Sequence, residues 1–240
     1  MKLYAYCLTE DLDTLDHAPP GISDAKVSLF KHEELGVLVS NSEIDVVRVT
    51  RDNALAHAAV VRSVLDRTTP LPFRFGTVVD EQQLKSYLTA RKSALQTQLE
   101  HVRGCVEMNV KIIQQVQNDE PPLPEHRLAP EGPGTAFLAE KRREIIGEER
   151  KTEHAAELST LVREALEGLI KDEQVTLRPA ERLVFAAAHL VERSAVQAYR
   201  EKMSQAVKRR PELHFLVSGP WPPYSFANIE LEFLTQFGVT

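Results

Sequence analysis

The chain has 240 residues, 42% hydrophobic and 27% charged, and a formal net charge of -6. That composition is too apolar for a disordered chain, and 29 basic and 35 acidic residues mixed along the chain give no electrostatic footprint for nucleic acid. The absence of an apolar run of about 18 residues and of a signal-peptide pattern predicts a cytoplasmic protein without a membrane span.

The chain begins with three predicted strands. Residues 2–8 alternate with period two, and two further alternating runs within residues 27–39 are typical of a hairpin. Thr50 is a suitable N-cap for a helix that ends near Asp66. The apolar residues of this helix recur at helical spacing: Leu55, Ala58, Val61 and Leu65.

A second helix and a further strand follow. Leu71–Val79 is a short apolar segment, and Asp80 caps a longer predicted helix. Residues 105–116 alternate most clearly, with Glu107 on the side expected to face water. Strands, helix, strand, helix and strand in this order predict an α+β domain over residues 1–118, with helices on one face of a ferredoxin-like sheet.

Prolines and glycines crowd the segment that follows, so residues 119–134 are interpreted as a linker. Residues 135–240 then form the predicted second domain, a related α+β unit with a tail. It starts with a long helix over residues 135–171. Further predicted elements are strands at 174–177 and 183–191, a helix containing Val196, and a strand at 213–217.

The motifs of the better-known phosphate-binding, zinc-binding and acyl-transfer sites are absent from the sequence. Cys7 and Cys105 are far apart in strand-like segments, which favours two buried thiols over a metal site or a disulfide. We therefore expect no catalytic residue, cofactor or metal. His57 is interpreted as a packed helix residue, with a general base as the alternative.

Arg74 lies between Phe73 and Phe75, so a strand pleat would send the two rings to one side and the guanidinium to the other. A structural ion pair, for example with Glu107, is favoured for a buried arginine. The alternative is an anion clamp that uses the bidentate guanidinium.

Ser218–Phe226 contains three prolines and three aromatic residues, and we expect its preset backbone to form no regular ladder. A rigid aromatic turn of this kind either anchors its own domain or presents Trp221 and Tyr224 to a protein partner. The sequence favours neither role over the other.

Two segments, Pro70–Val78 and Ser218–Phe226, together resemble the gas vesicle protein F/L family (GvpF/GvpL). His57 and Gly104–Glu107 also fit that family's pattern. The resemblance implies two α+β units, the first ferredoxin-like and the second a modified version. It also implies a non-enzymatic minor structural or assembly protein of gas vesicles, which are buoyancy organelles with a shell made mainly of a small hydrophobic protein.

The partners implied by the resemblance are the major shell protein and other gas vesicle accessory proteins, with localisation at the gas vesicle. A soluble binder would cover the apolar surface of a shell subunit before assembly. The candidate contact residues lie in the aromatic turn and in the tail: Trp221, Tyr224, Phe226, Phe233 and Phe237. The alternative is a small-anion-binding module or an enzyme with a pocket near His57, Arg74 and Glu107.

Overall fold

The computed structural model describes residues 2–10, 12, 14, 18–114, 153–176 and 183–229. The chain forms two compact units. The described residues of unit 1 lie within Met1–Glu107, Leu190–Arg193 and Gly219–Thr240, and those of unit 2 within Met108–His189 and Ser194–Ser218. The proposed linker at 119–134 lies outside the described residues, so a domain boundary there stays a prediction.

Unit 1 contains a five-stranded sheet with the order β2-β3-β1-β4, in which β5 also pairs with β1. β1 is antiparallel to β3, β4 and β5 and is buried over almost its whole length. The strands are β1 (Lys2–Thr9), β2 (Val27–His32), β3 (Leu35–Ser42), β4 (Leu71–Pro72) and β5 (Val78–Asp80). The predicted segment 71–79 is therefore two short strands, separated by a turn at Gly76, whose φ of +88° favours glycine.

Both predicted helices of unit 1 are present, and both begin at the predicted N-caps. Helix α1 (Arg51–Leu65) starts after Thr50, whose side chain accepts a hydrogen bond from the Asn53 N–H at 3.2 Å. Helix α2 (Glu81–Val102) starts after Asp80, which forms a reciprocal capping box with Gln83. The core face of α1 differs from the predicted repeat, because Leu55 and Ala58 are exposed and its buried residues are His57, Val60, Val61, Val64 and Leu65.

A second sheet has four strands in the order β7-β8-β6-β9. These strands are β6 (Cys105–Gln114), β7 (Asp172–Thr176), β8 (Leu183–Glu192) and β9 (Leu213–Trp221). Helix α3 is described over residues 153–165, and α4 is Val196–Arg209. The chain order β6-α3-β7-β8-α4-β9 with this strand order is the ferredoxin-like split βαβ arrangement.

Both sheets have the same strand order. When the four strands of each path are numbered along the chain, with β5 left out of the first sheet, the order across the sheet is second, third, first, fourth. The α+β class is thus confirmed. The sequence predicted that β6 belongs to the first sheet, but β6 pairs with β8 and β9 in the second sheet. The long helix predicted for 135–171 is described only from residue 153, and Gly168, with φ +77°, lies in the turn before β7.

β9 is longer than predicted, because it continues through Gly219 and Pro220 to Trp221. The expectation that the proline-rich segment forms no ladder is therefore wrong for these first residues. β9 lies at the end of the sheet order, and an edge strand tolerates proline because one side of its backbone needs no ladder partner.

Candidate protein-binding surface and buried polar sites

His57 is buried in unit 1, where β1 and α1 meet. Its Nδ1 lies 2.9 Å from the hydroxyl oxygen of Tyr4, and that oxygen accepts a hydrogen bond from the Gly76 N–H at 3.1 Å. The Tyr4 hydroxyl therefore donates to Nδ1, which places the imidazole proton on Nε2. Nε2 is buried and has no hydrogen-bond partner among the described residues.

Aromatic rings surround the His57 imidazole. Ring centroids of Tyr4, Tyr6 and Phe75 lie 5.8, 5.7 and 5.8 Å from it, respectively. Burial lowers the pKa of His57 from its usual 6.5 to about 4, so the imidazole is neutral at physiological pH. The described contacts of the imidazole include no carboxylate that would orient it as a general base, and a packed structural role for His57 stays a prediction.

Glu107 is buried on β6, whereas the alternation of the strand predicted that it faces water. The reason is a contact from the aromatic turn. The Ser225 N–H donates to Oε2 at 2.7 Å, and the Ser225 hydroxyl donates to Oε1 at 3.0 Å. Two hydrogen bonds compensate much of the cost of burying this carboxylate.

A second pair of hydrogen bonds holds the residues that follow the aromatic turn. The Gln98 side chain on α2 donates from Nε2 to the Asn228 carbonyl at 3.1 Å, and its Oε1 accepts from the Asn228 N–H at 3.2 Å. The described part of the C-terminal segment is thereby fastened to unit 1 by polar side chains on β6 and α2.

Arg74 is exposed in the turn between β4 and β5, so the premise of a buried arginine is wrong. Phe73 is buried and Phe75 packs against the core of unit 1, but residues 73–77 lie between β4 and β5, so the strand pleat expected at Arg74 is absent. An ion pair between Arg74 and Glu107 stays a prediction. Three described surface cavities of about 480 to 530 Å³ are lined by neither of these residues nor by His57.

Trp221 and Tyr224 reach the surface of unit 1 with 38% and 40% of their area exposed. The guanidinium of Arg62 lies 5.6 Å from the centroid of the Trp221 ring, a cation-π contact. Burial raises the pKa of Tyr224, and the nearby Cys7 and Glu107 raise it further. Phe226 is buried and anchors the segment, and Phe233 and Phe237 lie outside the described residues.

A surface that the sequence analysis missed lies at the junction of β3 and α1. Ile44, Val46, Val49 and Leu55 are between 49% and 86% exposed, and we call these four residues the unit 1 apolar surface. Val47, in their midst, is buried in the core and fixes the segment. The signal in the sequence was the run Ile44–Val49, whose aliphatic residues belong neither to the strand nor to the helix.

The outer face of α1 connects this surface with Trp221. Leu55 and Arg62 are seven residues apart, so they lie on one face of the helix at a separation of about 10 Å along its axis. Between them Ala58 and Ala59 are exposed and carry no charge. The helix therefore presents a largely apolar strip that begins at the unit 1 apolar surface and ends where Arg62 covers Trp221.

Unit 2 contains a second buried histidine, which the sequence analysis did not single out. His189 on β8 contacts the Tyr199 hydroxyl of α4 through Nδ1 at 2.7 Å and the Glu173 carboxylate of β7 through Nε2 at 3.3 Å. Arg163 binds the same carboxylate at 2.6 Å. This chain of polar groups runs from a mostly exposed arginine to a fully buried tyrosine.

No helix in the described part of the chain has the length and apolar composition that a membrane crossing requires.

Two solved structures have a similar fold, those of gas vesicle protein GvpF from an Anabaena species and from Microcystis aeruginosa. Each has a TM-score of 0.79, at 19% and 18% identity, and covers 95% of this chain and 99% of its own. The chain thus has the fold of these two GvpF structures.

Sequence relatives agree with that fold. Gas vesicle protein F1 of Halobacterium salinarum is 27% identical over 96% of this chain and 94% of its own length. Gas vesicle protein L of a Streptomyces species is 26% identical over 95% and 94%. The chain belongs to the gas vesicle synthesis protein GvpL/GvpF family, whose sequence model matches residues 2–228.

The predicted family is therefore confirmed, and the chain is a gas vesicle protein involved in gas vesicle formation. This family is not a known enzyme family. Relatives named F and L have nearly equal identity to the chain, so overall similarity does not assign it to either type.

Proposed function

We propose that this chain binds the hydrophobic major shell protein during gas vesicle formation, and that the unit 1 apolar surface makes the contact. The observation that carries the proposal is the exposure of four large aliphatic side chains within twelve residues, Ile44 to Leu55. Aliphatic clusters of this kind on a folded protein are typical of sites that bind another protein.

The local chemistry of this surface fits an apolar partner. The exposed alanines of α1 have short side chains, so a partner segment can approach the helix backbone closely. Buried Val47 holds the neighbouring aliphatic residues in place, which lowers the entropy lost when a partner orders them. The charged residues within the segment, Asp45 and Arg48, are suited to the polar rim of an interface.

Trp221 extends the proposed contact at the other end of α1. Tryptophan and arginine are the residue types that most often dominate the energy of a protein interface, and here Arg62 already lies over the ring. Tyr224 adds a second exposed aromatic side chain in the same segment. The same proposal includes contacts of Phe233 and Phe237 with a shell subunit or with accessory proteins. It also includes a cytoplasmic site of action before the protein joins the vesicle.

The test is co-purification of the shell protein with the chain after co-expression, comparing wild type with a Val46→Lys/Leu55→Lys variant. Both side chains are exposed, so the variant should fold with an unchanged circular dichroism spectrum. A desolvated lysine in an apolar interface is unfavourable, and we expect recovery of the shell protein to fall by about tenfold or more.

Val46→Leu/Leu55→Met is the matched control, because it changes the same two exposed positions and keeps both side chains apolar. It should retain wild-type recovery of the shell protein. Undiminished recovery with the double variant, or an equal loss with the control, would contradict the proposed surface. A wild-type chain that is folded and recovers no shell protein would contradict the function itself.

The alternative function, an anion-binding module or enzyme at His57, Arg74 and Glu107, has less support. The imidazole of His57 is buried with its Nδ1 bonded to Tyr4, and the Glu107 carboxylate is bonded twice to Ser225. A general base must have a free nitrogen or oxygen within reach of a substrate proton. Thermal stabilisation by phosphate or a nucleotide, lost in Arg74→Ala, would revive this alternative.

A further inference from the structure

The two outer strands of the four-stranded sheet differ in charge. β7 (Asp172–Thr176) is five residues long and contains two carboxylates, Asp172 and Glu173. β9 (Leu213–Trp221) is nine residues long and contains no lysine, arginine, aspartate or glutamate. Proteins commonly protect an edge strand by keeping it short or charged, because an uncharged edge pairs with other strands. β7 has this protection and β9 lacks it.

The side chains of β9 strengthen this difference. Leu216 and Val217 are 46% and 38% exposed. Successive residues of a strand point to opposite faces, so each face of the sheet has an exposed aliphatic group beside this edge. Within the described residues, β6 is the one strand beside Leu213–Val217, the part of β9 that belongs to unit 2.

We propose that residues Leu213–Val217 of β9 pair antiparallel with the same residues of a second copy of this chain. An uncharged strand is compatible with itself, because antiparallel self-pairing places no like charges opposite one another. Pairing would also cover Leu216 and Val217 on both faces of the joined sheet.

The charges also explain why pairing would stop at two copies. A two-fold contact uses the same edge on both molecules and leaves the β7 edges at the outside of the joined sheet. The shortness of β7 and the Asp172 carboxylate oppose addition of a further strand there, whereas the Glu173 carboxylate is mostly buried and bound by Arg163 and His189. The edge contact therefore predicts a dimer and no longer assembly. It depends on the unit 2 part of β9 and is independent of the proposed shell-binding surface in unit 1.

Sedimentation velocity over a range of concentrations tests the proposal on the full chain. We expect wild type to change from monomer to dimer without larger species. Leu216→Lys places two lysines near each other across the pairing and should raise the dimer dissociation constant by about tenfold or more. Gln174→Lys is the control, an exposed residue on the charged β7 edge, and should leave the dissociation constant unchanged.

Hydrogen exchange adds a local readout. The amides of Leu213–Val217 that face the open edge should exchange more slowly at concentrations where wild type is dimeric, and Leu216→Lys should abolish this slowing. A wild type that stays monomeric at all concentrations overturns the proposal. So does a dimer that Leu216→Lys leaves intact, a series of larger species, or a dimer without slower exchange in β9.

Discussion

Each unit buries a hydrogen-bonded pair of tyrosine and histidine, and the two pairs differ in what the second imidazole nitrogen contacts. In unit 1 the pair is Tyr4 on β1 and His57 on α1; in unit 2 it is His189 on β8 and Tyr199 on α4. Nε2 of His189 contacts the Glu173 carboxylate, whereas Nε2 of His57 has no hydrogen-bond partner among the described residues.

The difference shows how one carboxylate changes the cost of burying an imidazole. Burial lowers the pKa of both histidines, but at His189 the negative charge of Glu173 raises it again in part. In both pairs the nitrogen near the tyrosine accepts and Nε2 holds the proton. Among the described residues, unit 1 therefore buries an N–H donor without an acceptor, and unit 2 satisfies the same donor at the expense of burying part of a carboxylate.

The largest expected effect comes from removing each imidazole. His189→Leu leaves the Tyr199 hydroxyl and one carboxylate oxygen of Glu173 facing an apolar side chain, and should lower the free energy of unfolding by about 3 to 5 kcal/mol. His57→Leu likewise leaves the Tyr4 hydroxyl without its acceptor, but it strands no carboxylate and removes an Nε2–H that has no partner among the described residues, so it should cost only about 1 to 2 kcal/mol. Urea denaturation of both variants gives the comparison, and equal losses would contradict it.

The second largest effect is expected on acidification, which should destabilise the folded state through His57, the histidine whose Nε2 has no hydrogen-bond partner among the described residues. The pKa of His57 is lowered in the folded state to about 4 from its usual 6.5, so the unfolded chain takes up a proton first as the pH falls. The stabilisation from neutral His57 is complete above pH 6.5 and is lost as the pH falls towards 4, by on the order of 3 kcal/mol.

The readout of the acid prediction is the difference between wild type and His57→Leu in unfolding free energy at pH 7 and near pH 4.5. Other titrating groups affect both proteins alike and cancel in this difference. Wild type should lose more stability than the variant on acidification. Parallel curves would mean that the imidazole is not buried as a neutral group.

The tyrosine hydroxyls should have a smaller and again unequal effect. Tyr4→Phe deprives both the Gly76 N–H and Nδ1 of His57 of a partner, at a cost of about 2 kcal/mol. Tyr199→Phe deprives only Nδ1 of His189 and should cost about 1 kcal/mol. Both costs assume that the tyrosine hydroxyl donates to Nδ1 of the histidine. Nitrogen NMR of the wild-type protein tests this assumption, since His57 and His189 should each carry the imidazole proton on Nε2.

The smallest effect is expected for Arg163→Ala. Arg163 is mostly exposed, so loss of its ion pair with Glu173 should cost only about 0.5 kcal/mol. Its positive charge lowers the pKa of His189, and the variant should therefore raise that pKa. An NMR titration of His189 measures the direction, with the His57 titration as an internal control that should not move.

Much of the local structure was predictable because local signals specify it. Thr50 and Asp80 were recognised as N-caps from side-chain chemistry, and the strand at Cys105 from its alternation. Leu55 was placed with the core by its spacing alone, yet it is exposed, because helical periodicity identifies a stripe without showing which stripe meets the sheet. The rest of the candidate surface was missed because Ile44, Val46 and Val49 lie between β3 and α1, where no periodic pattern distinguishes buried from exposed residues.

The sequence by itself determined the α+β class, the starts of α1 and α2, the burial of both cysteines and the family. Only the tertiary structure decided that β6 pairs in the second sheet, that the Glu107 carboxylate accepts hydrogen bonds from Ser225, and that Nε2 of His189 contacts the Glu173 carboxylate. Caps and alternation are read within a few neighbouring residues. Ser225 and Glu107 are separated by 118 positions, and only folding brings such distant groups together.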